Sequence, residues 1–185
     1  MNENVFTQMQ KEMDGSVGAL RKELSKLRTG RASTSLLEHI MVEYYGATTP
    51  LIQLATLSAP EPRLLVIQPF DRSAMGEIEK AILKSDLGLT PSNDGKVVRI
   101  PIPQLTEERR KELVKHVKKI AEEYRVSIRN HRRVAIEQLK EAEKNKEITA
   151  DDHKHGQDRV QKITDEFIGR VDKIVKAKEE EVMAV

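Results

Sequence analysis

The stretch from Leu105 to Lys144 constrains this chain most. It follows Pro101-Ile102-Pro103, which cannot continue a helix and predicts a stiff extended connector. An inward stripe then recurs at Leu113, Val117, Ile120, Tyr124, Ile128, His131, Ala135, Leu139 and Ala142. Steps of three and four put them on one helical face. Thr106 is a suitable N-cap, and Glu107-Glu108 complement the positive end of the new helix. Close to 40 helical residues span roughly 58 Å at 1.5 Å per residue. Such a helix cannot shelter a one-sided apolar stripe alone. It needs partners of similar length.

The chain supplies two. Phe6, Met9, Met13, Val17, Leu20, Leu24 and Leu27 recur at the same spacing, predicting a helix over 3–28. Gly15 and Gly18 weaken it by roughly 1 kcal/mol each relative to Ala, so packing must hold it. Thr149 with Asp152 three residues later resembles a capping box. Val160, Ile163, Phe167, Val171, Ile174 and Lys178 then follow to the C-terminus. The short loop at 145–148 makes the last two helices antiparallel neighbours. Aromatics are only 3% of the chain, which suits slender helices packed through aliphatic side chains.

The intervening section has another texture. All seven prolines lie in it, among short β-rich runs at 40–45, 54–57 and 64–67. A helix is predicted over 72–86 with Ile78, Ala81, Ile82 and Leu83 inward. Leu89-Thr90 and 97–100 read as a closing strand pair around Asn93-Asp94-Gly95. The expected fold class is therefore α+β: an elongated antiparallel three-helix bundle (1–29 and 105–185) with an inserted small β/α/β domain (31–103). Connectors near 29–31 and 101–105, through Thr29, Gly30, Arg31, Pro101, Pro103 and Leu105, would act as a hinge, giving a bent rod or L.

Charge narrows the function. The net charge is only +2, from 32 basic and 30 acidic residues. Between Arg109 and Arg133, however, ten basic residues face three acidic ones, whereas the insert is neutral. On a helical wheel with Arg125 at zero, Arg132 falls near −20°, Lys118 near +20°, and Lys111 and Arg129 near +40°. These five cations are expected on one exposed face, interrupted only by Glu122. Guanidinium groups grip phosphates bidentately, so the pattern points to nucleic-acid backbone. Few aromatics are expected at the surface, which argues against base stacking and for readout of structured RNA by shape.

Other chemistries find little support. Cysteine is absent, which removes disulfides, thiolate metal sites and a Cys nucleophile, and suits a reducing compartment. No P-loop motif occurs. His153 and His155 are spaced i, i+2, so their rings leave a helix in different directions, unlike zinc-binding i, i+4 pairs. His131 reads as a packed histidine. No cofactor, metal, catalytic residue or membrane span is expected. The first residues carry no basic or apolar leader, and the expected setting is a bacterial cytoplasm.

A family resemblance then emerges. Leu27-Arg28-Thr29-Gly30-Arg31-Ala32-Ser33, Val42-Glu43-Tyr44-Tyr45-Gly46, Phe70-Asp71-Arg72-Ser73 and Ser85-Asp86-Leu87-Gly88-Leu89 carry it. Leu105-Thr106-Glu107-Glu108-Arg109-Arg110, Arg129-Asn130-His131-Arg132-Arg133 and Lys146-Glu147-Ile148 with Asp151-Asp152 complete it. Together these motifs resemble the ribosome recycling factors along essentially the whole chain. The resemblance implies an L-shaped monomer about the size of a transfer RNA that enters the space between ribosomal subunits after peptide release. It implies action with elongation factor G, whose GTP hydrolysis drives separation of the subunits. Arg129, Arg132 and Arg133 match the family arginines that touch large-subunit ribosomal RNA, and Arg28, Arg31 and Arg110 those beside the hinge. The basic face itself adds Arg125 and Lys118. Gly15-Ser16-Val17-Gly18 departs from the family pattern by its glycine content.

Two other classes of function remain on the residues alone. A helical-bundle adaptor or chaperone would bind partner helices with weak salt dependence. An enzyme would work through His153 and His155. RNA binding instead predicts affinity that falls steeply with salt.

Overall fold

The computed structural model describes residues 3–184. In chain order its elements are α1 (Glu3–Ser25), β1 (Met41–Tyr44), β2 (Ala47–Pro50), a single turn α2 (Leu51–Leu54), β3 (Ala55–Glu61), β4 (Leu64–Pro69), α3 (Met75–Lys84), β5 (Ser92–Asn93), β6 (Val98–Pro101), α4 (Glu107–Lys144) and α5 (Ala150–Met183). The chain forms two compact units, one of residues 1–27 with 108–185 and the other of residues 28–107.

The first unit is three helices around one apolar core. Phe6, Met13 and Leu20 of α1, Ile128 and Leu139 of α4, and Val160 and Val171 of α5 are all fully buried there. Polar bonds across the seams fix the helix directions. Glu3 and Asp14 of α1 meet Arg159 and Arg170 of α5 at 2.8 and 3.2 Å, an equal spacing that requires α1 and α5 to run parallel. Ser16 bonds Ser127 at 3.0 Å while Tyr124 donates to Glu23 at 2.6 Å, so α4 runs against both. Arg159 and Arg170 also lie over the rings of Phe6 and Phe167, 4.1 and 4.5 Å from the centroids, covering core aromatics with cations. At Gly156 of α5 a Cβ would stand 2.9 Å from a Leu139 methyl and 3.6 Å from the Phe6 ring. Glycine there lets three helices converge.

The capping box opens α5 as expected. Thr149 accepts from Asp152 N–H and Asp152 accepts from Thr149 N–H. Helix α1 is shorter than 3–28. Beyond Ser25 the Lys26 and Leu27 amides reach back only three residues, the tightened winding of a helix end. Gly15 and Gly18 face open space, so α1 continues through both.

The second unit differs from the expected strands in detail. Tyr45 and Gly46 take φ of 49° and 78°, the left-handed pair of a type I′ turn. They fold β1 onto β2, a return strand not anticipated. The second sheet is antiparallel in the order β3-β4-β6-β5. Strand β3 runs through Pro60, tolerated because β3 is an edge. The predicted helix over 72–86 divides into a 3-10 turn at Arg72–Ala74, capped by Asp71, and α3. Ile78 and Ile82 are fully buried but Leu83 is exposed, since it lies about 100° round the helix from Ile82. The closing pair is β5 with β6 rather than Leu89-Thr90 with 97–100. The 101–103 segment is docked, not free: Pro101 ends β6, and buried Ile102 donates its N–H to Arg63 O at 2.9 Å. Gly30, with φ of 76°, leaves a would-be Cβ 2.9 Å from Leu105 Cγ, so the two expected connectors pack on each other within this unit.

Tyr44 Oη donates to Asp71 at 2.7 Å, and Ser73 N–H donates to the other carboxylate oxygen at 2.9 Å. The tyrosine bond holds Asp71 below the ordinary carboxylate range and raises Tyr44 to about 12. The depressed carboxylate stabilises the fold above its unfolded value and loses that contribution as pH falls. The raised phenol stabilises below its ordinary value of 10.0 and loses it as pH rises toward 12. Between about pH 5 and 9 the pair contributes steadily. Tyr124, bonded to Glu23, is also raised to about 12, so replacing Tyr44 with Phe should remove one of two tyrosine titrations near 12 and weaken the acid dependence of the urea midpoint. A difference titration placing Tyr44 near pH 10 would refute this.

Candidate nucleic-acid interface

The arginines of α4 do not form one solvent face. They divide by what they meet on α5. Arg125 is half-buried and bonds Asp172 through Nε and Nη2 at 3.1 and 2.8 Å. Its Nη1 stands 3.5 Å from Glu122. Arg132 is also half-buried, with Nη1 donating to Gln161 Oε1 at 3.2 Å and Nε buried without a partner among the described residues. The expectation that both project with the exposed cations is corrected: α5 packs along this flank, and long guanidinium side chains lie across the seam. Arg129 is exposed but bonds Glu122 at 2.9 Å. That bond first, with the positive charges of Arg129 and Arg125, holds Glu122 below the ordinary carboxylate range.

The other expected residues vary as well. Lys118 and Arg133 are exposed and make no side-chain bond among the described residues. Lys115 and Lys119, which the wheel did not single out, are equally exposed and unpaired. Lys111 is exposed but has a partner. These four unpaired cations occupy neighbouring positions around α4, between about 20° and 120° on the same wheel. Arg110 is half-buried and Arg31 exposed. Arg28 is engaged: its two terminal nitrogens donate to the carbonyls of Leu87 and Asp86 at 2.8 and 2.9 Å, bracing the chain after α3.

Two of the five histidines, His131 and His153, have structural partners. His131 Nδ1 lies 3.1 Å from Glu12, and Nε2 lies 3.2 Å from Ser16, tying α4 to α1. His153 meets Glu143 across the α4–α5 turn. Among the described residues no group of three His, Asp or Glu side chains is arranged to hold a metal, and no helix is long and apolar enough to cross a membrane.

Two aromatics are nonetheless open to solvent. Tyr45 and Phe70 of the second unit are 81% and 70% exposed. Tyr45 sits at the left-handed turn position, its ring edge-on to Tyr44 with centroids 4.5 Å apart. Bulky residues rarely adopt this conformation, and Asn is the usual occupant.

The sequence profile described as ribosome recycling factor matches residues 20–183.

The chain belongs to the ribosome recycling factor family.

Over its full length it is 56% identical to the ribosome-recycling factor of Carboxydothermus hydrogenoformans and 54% identical to that of Bacillus subtilis, each also covered completely. A solution structure of the ribosome recycling factor superposes with a TM-score of 0.77 at 45% identity, covering 99% of this chain and 97% of that one. A second solved structure presents models for the T. thermophilus ribosome recycling factor and the E. coli elongation factor G bound to the E. coli post-termination complex. It gives a TM-score of 0.66 at 48% identity, with 98% of each chain covered. The three-helix unit and the small antiparallel sheet unit are the architecture this family was expected to bring.

Proposed function

We propose that this chain recycles post-termination ribosomes: it binds the large subunit through α4 and, with elongation factor G, separates the subunits so that messenger and transfer RNA are released. Full-length similarity to ribosome-recycling factors supports the activity. The structure of a relative with elongation factor G on the post-termination complex supports the partner. In this reading the chain contributes binding and geometry, and GTP hydrolysis belongs to the elongation factor. Its setting is the bacterial cytoplasm, as for the bacterial relatives.

The observation that carries the RNA contact is the sorting of cations on α4. Lys115, Lys118, Lys119 and Arg133 have no carboxylate within 4.0 Å among the described residues, and Arg132 is held by a neutral amide. Unpaired cations on a rigid helix meet a phosphate backbone without first breaking an ion pair. Arg129 and Arg125 would contribute while sharing Glu122. Arg110, Arg28 and Arg31 belong to the same proposal as a second cluster, with Arg28 still offering its remaining N–H donors. The passages near 29–31 and 101–105 are proposed as the hinge on which the elongation factor acts.

Binding to isolated large ribosomal subunits across a salt series tests the contact. Arg132→Ala should lose about 1–3 kcal/mol, the value of a charge-assisted hydrogen bond, with an unchanged helical CD spectrum. Equal binding by the folded variant would remove Arg132 from the interface. Failure of both proteins to bind would favour a helical adaptor instead.

A further inference from the structure

Arg125 and Arg132 stand seven positions apart on α4, and Asp165 and Asp172 seven positions apart on α5. The helices are antiparallel, so Asp165 stands opposite Arg132 as Asp172 stands opposite Arg125. Arg125 makes its ion pair. Arg132 does not. No carboxylate lies within 4.0 Å of it among the described residues, although an acidic rung partner is available. Gln161 occupies the intervening position, accepting from Arg132 through Oε1 at 3.2 Å and donating through Nε2 to Asp165 Oδ1 at 2.8 Å.

We infer that Gln161 is a positioning residue that keeps Asp165 from neutralising Arg132, so that this guanidinium reaches RNA with its charge uncancelled. The inference rests on the RNA reading above. An amide suits the task because it has one face for each neighbour: its carbonyl takes the arginine and its NH₂ occupies the carboxylate. Glutamate at 161 would cancel the arginine directly. A side chain unable to hold Asp165 would leave that carboxylate free to take the arginine. The arrangement also orients Arg132, since Nε is buried and Nη1 is committed. The donors at the other side of the fork are left for a phosphate.

Binding of the full chain to isolated large subunits, measured over a salt series, tests this with five proteins: wild type, Arg132→Ala, Gln161→Ala, Asp165→Asn and the Gln161→Ala/Asp165→Asn double variant. Gln161 and Asp165 are exposed, and CD with urea midpoints confirms that each variant folds. Gln161→Ala should weaken binding about fivefold, the scale of one surface ion pair, and reduce the slope of log affinity against log salt by up to about 0.7. Asp165→Asn should bind as tightly as wild type or tighter, and the double variant should recover both affinity and slope. Loss in Gln161→Ala that Asp165→Asn fails to restore would overturn the inference, because Gln161 would then only be bracing the side chain. Wild-type binding by Gln161→Ala would overturn it too. Arg132→Ala separates the two levels: if it binds like wild type, the RNA contact of Arg132 itself has failed.

Discussion

Replacing Lys115, Lys118, Lys119 and Arg133 together with alanine should lower affinity for isolated large ribosomal subunits by about a hundredfold or more. It should also reduce the slope of log affinity against log salt by about three. Each cation at a phosphate displaces condensed counterions, and the single-strand and duplex values are about 0.7 and 0.9 per contact. Four lost contacts therefore remove about 2.8 to 3.6 from the slope. The fold should be unaffected, because all four side chains are exposed and bond to no described residue. This separates them from Arg125, whose removal would also take from Asp172 its guanidinium partner across the helix seam. The measurement is a binding isotherm at each of several salt concentrations, with CD as the folding control. A folded variant with an unchanged salt slope would show that these cations only solvate α4, and would direct attention to Arg110, Arg28 and Arg31.

Phe6→Ala should destabilise the helical unit by about 3–5 kcal/mol, the usual cost of removing a buried aromatic. Phe6 is fully buried, and its ring reaches toward Gly156 of α5 while carrying the Arg159 guanidinium 4.1 Å above it. Truncation would leave a cavity where α1, α4 and α5 converge. It would also remove a cation–π contact of about 0.5–1 kcal/mol. Domains commonly have 5–15 kcal/mol in total, so the loss is a large fraction. Urea unfolding followed by helical CD reports mainly on this unit, which contains the three long helices. A loss below about 1 kcal/mol would mean that neighbouring side chains close the cavity.

Much of the helical unit was legible because its periodicity is long and redundant. Val117, Ile120, Ile128 and Leu139 repeat one stripe over many turns, and each agrees with the others about which face is inward. Thr149 and Asp152 announce the start of α5 locally, three residues apart. The small sheet was less legible because its elements are short. Ala47–Pro50 carries almost no apolar signal, yet pairs because Tyr45 and Gly46 reverse the chain. Pro60 falls within β3 beyond the 54–57 run, and whether a proline interrupts a strand depends on that strand being central or at an edge, which only the sheet order decides. Leu83 is apolar but lies off the Ile78–Ile82 stripe, and it faces outward.

The candidate interface shows the same boundary between local and tertiary information. A wheel of α4 finds basic residues but not their partners. It grouped Arg125 and Arg132 with Lys118 because nothing in α4 reveals Asp172 or Gln161 on α5. Once the antiparallel register is known, those partners follow, and the unpaired set shifts toward Lys115, Lys119 and Arg133. Tyr45 and Phe70 escaped notice for a related reason: an apolar side chain in a short element carries no periodic signal of its own exposure.

The helical unit is interrupted in sequence by the complete sheet unit, with α1 on one side and α4 and α5 on the other. During synthesis α1 must therefore leave the ribosome with Phe6, Met13 and Leu20 unsheltered while residues 28–107 follow. At roughly 5–20 residues per second, that wait is on the order of ten seconds before α4 begins to emerge. The sheet unit has its own core and has all its residues available in that interval, so it can close first. Newborn α1 is then a lone amphipathic segment, and its weakness in isolation, with Gly15 and Gly18 facing solvent, keeps its apolar stripe from being displayed on a stable rod before its partners arrive.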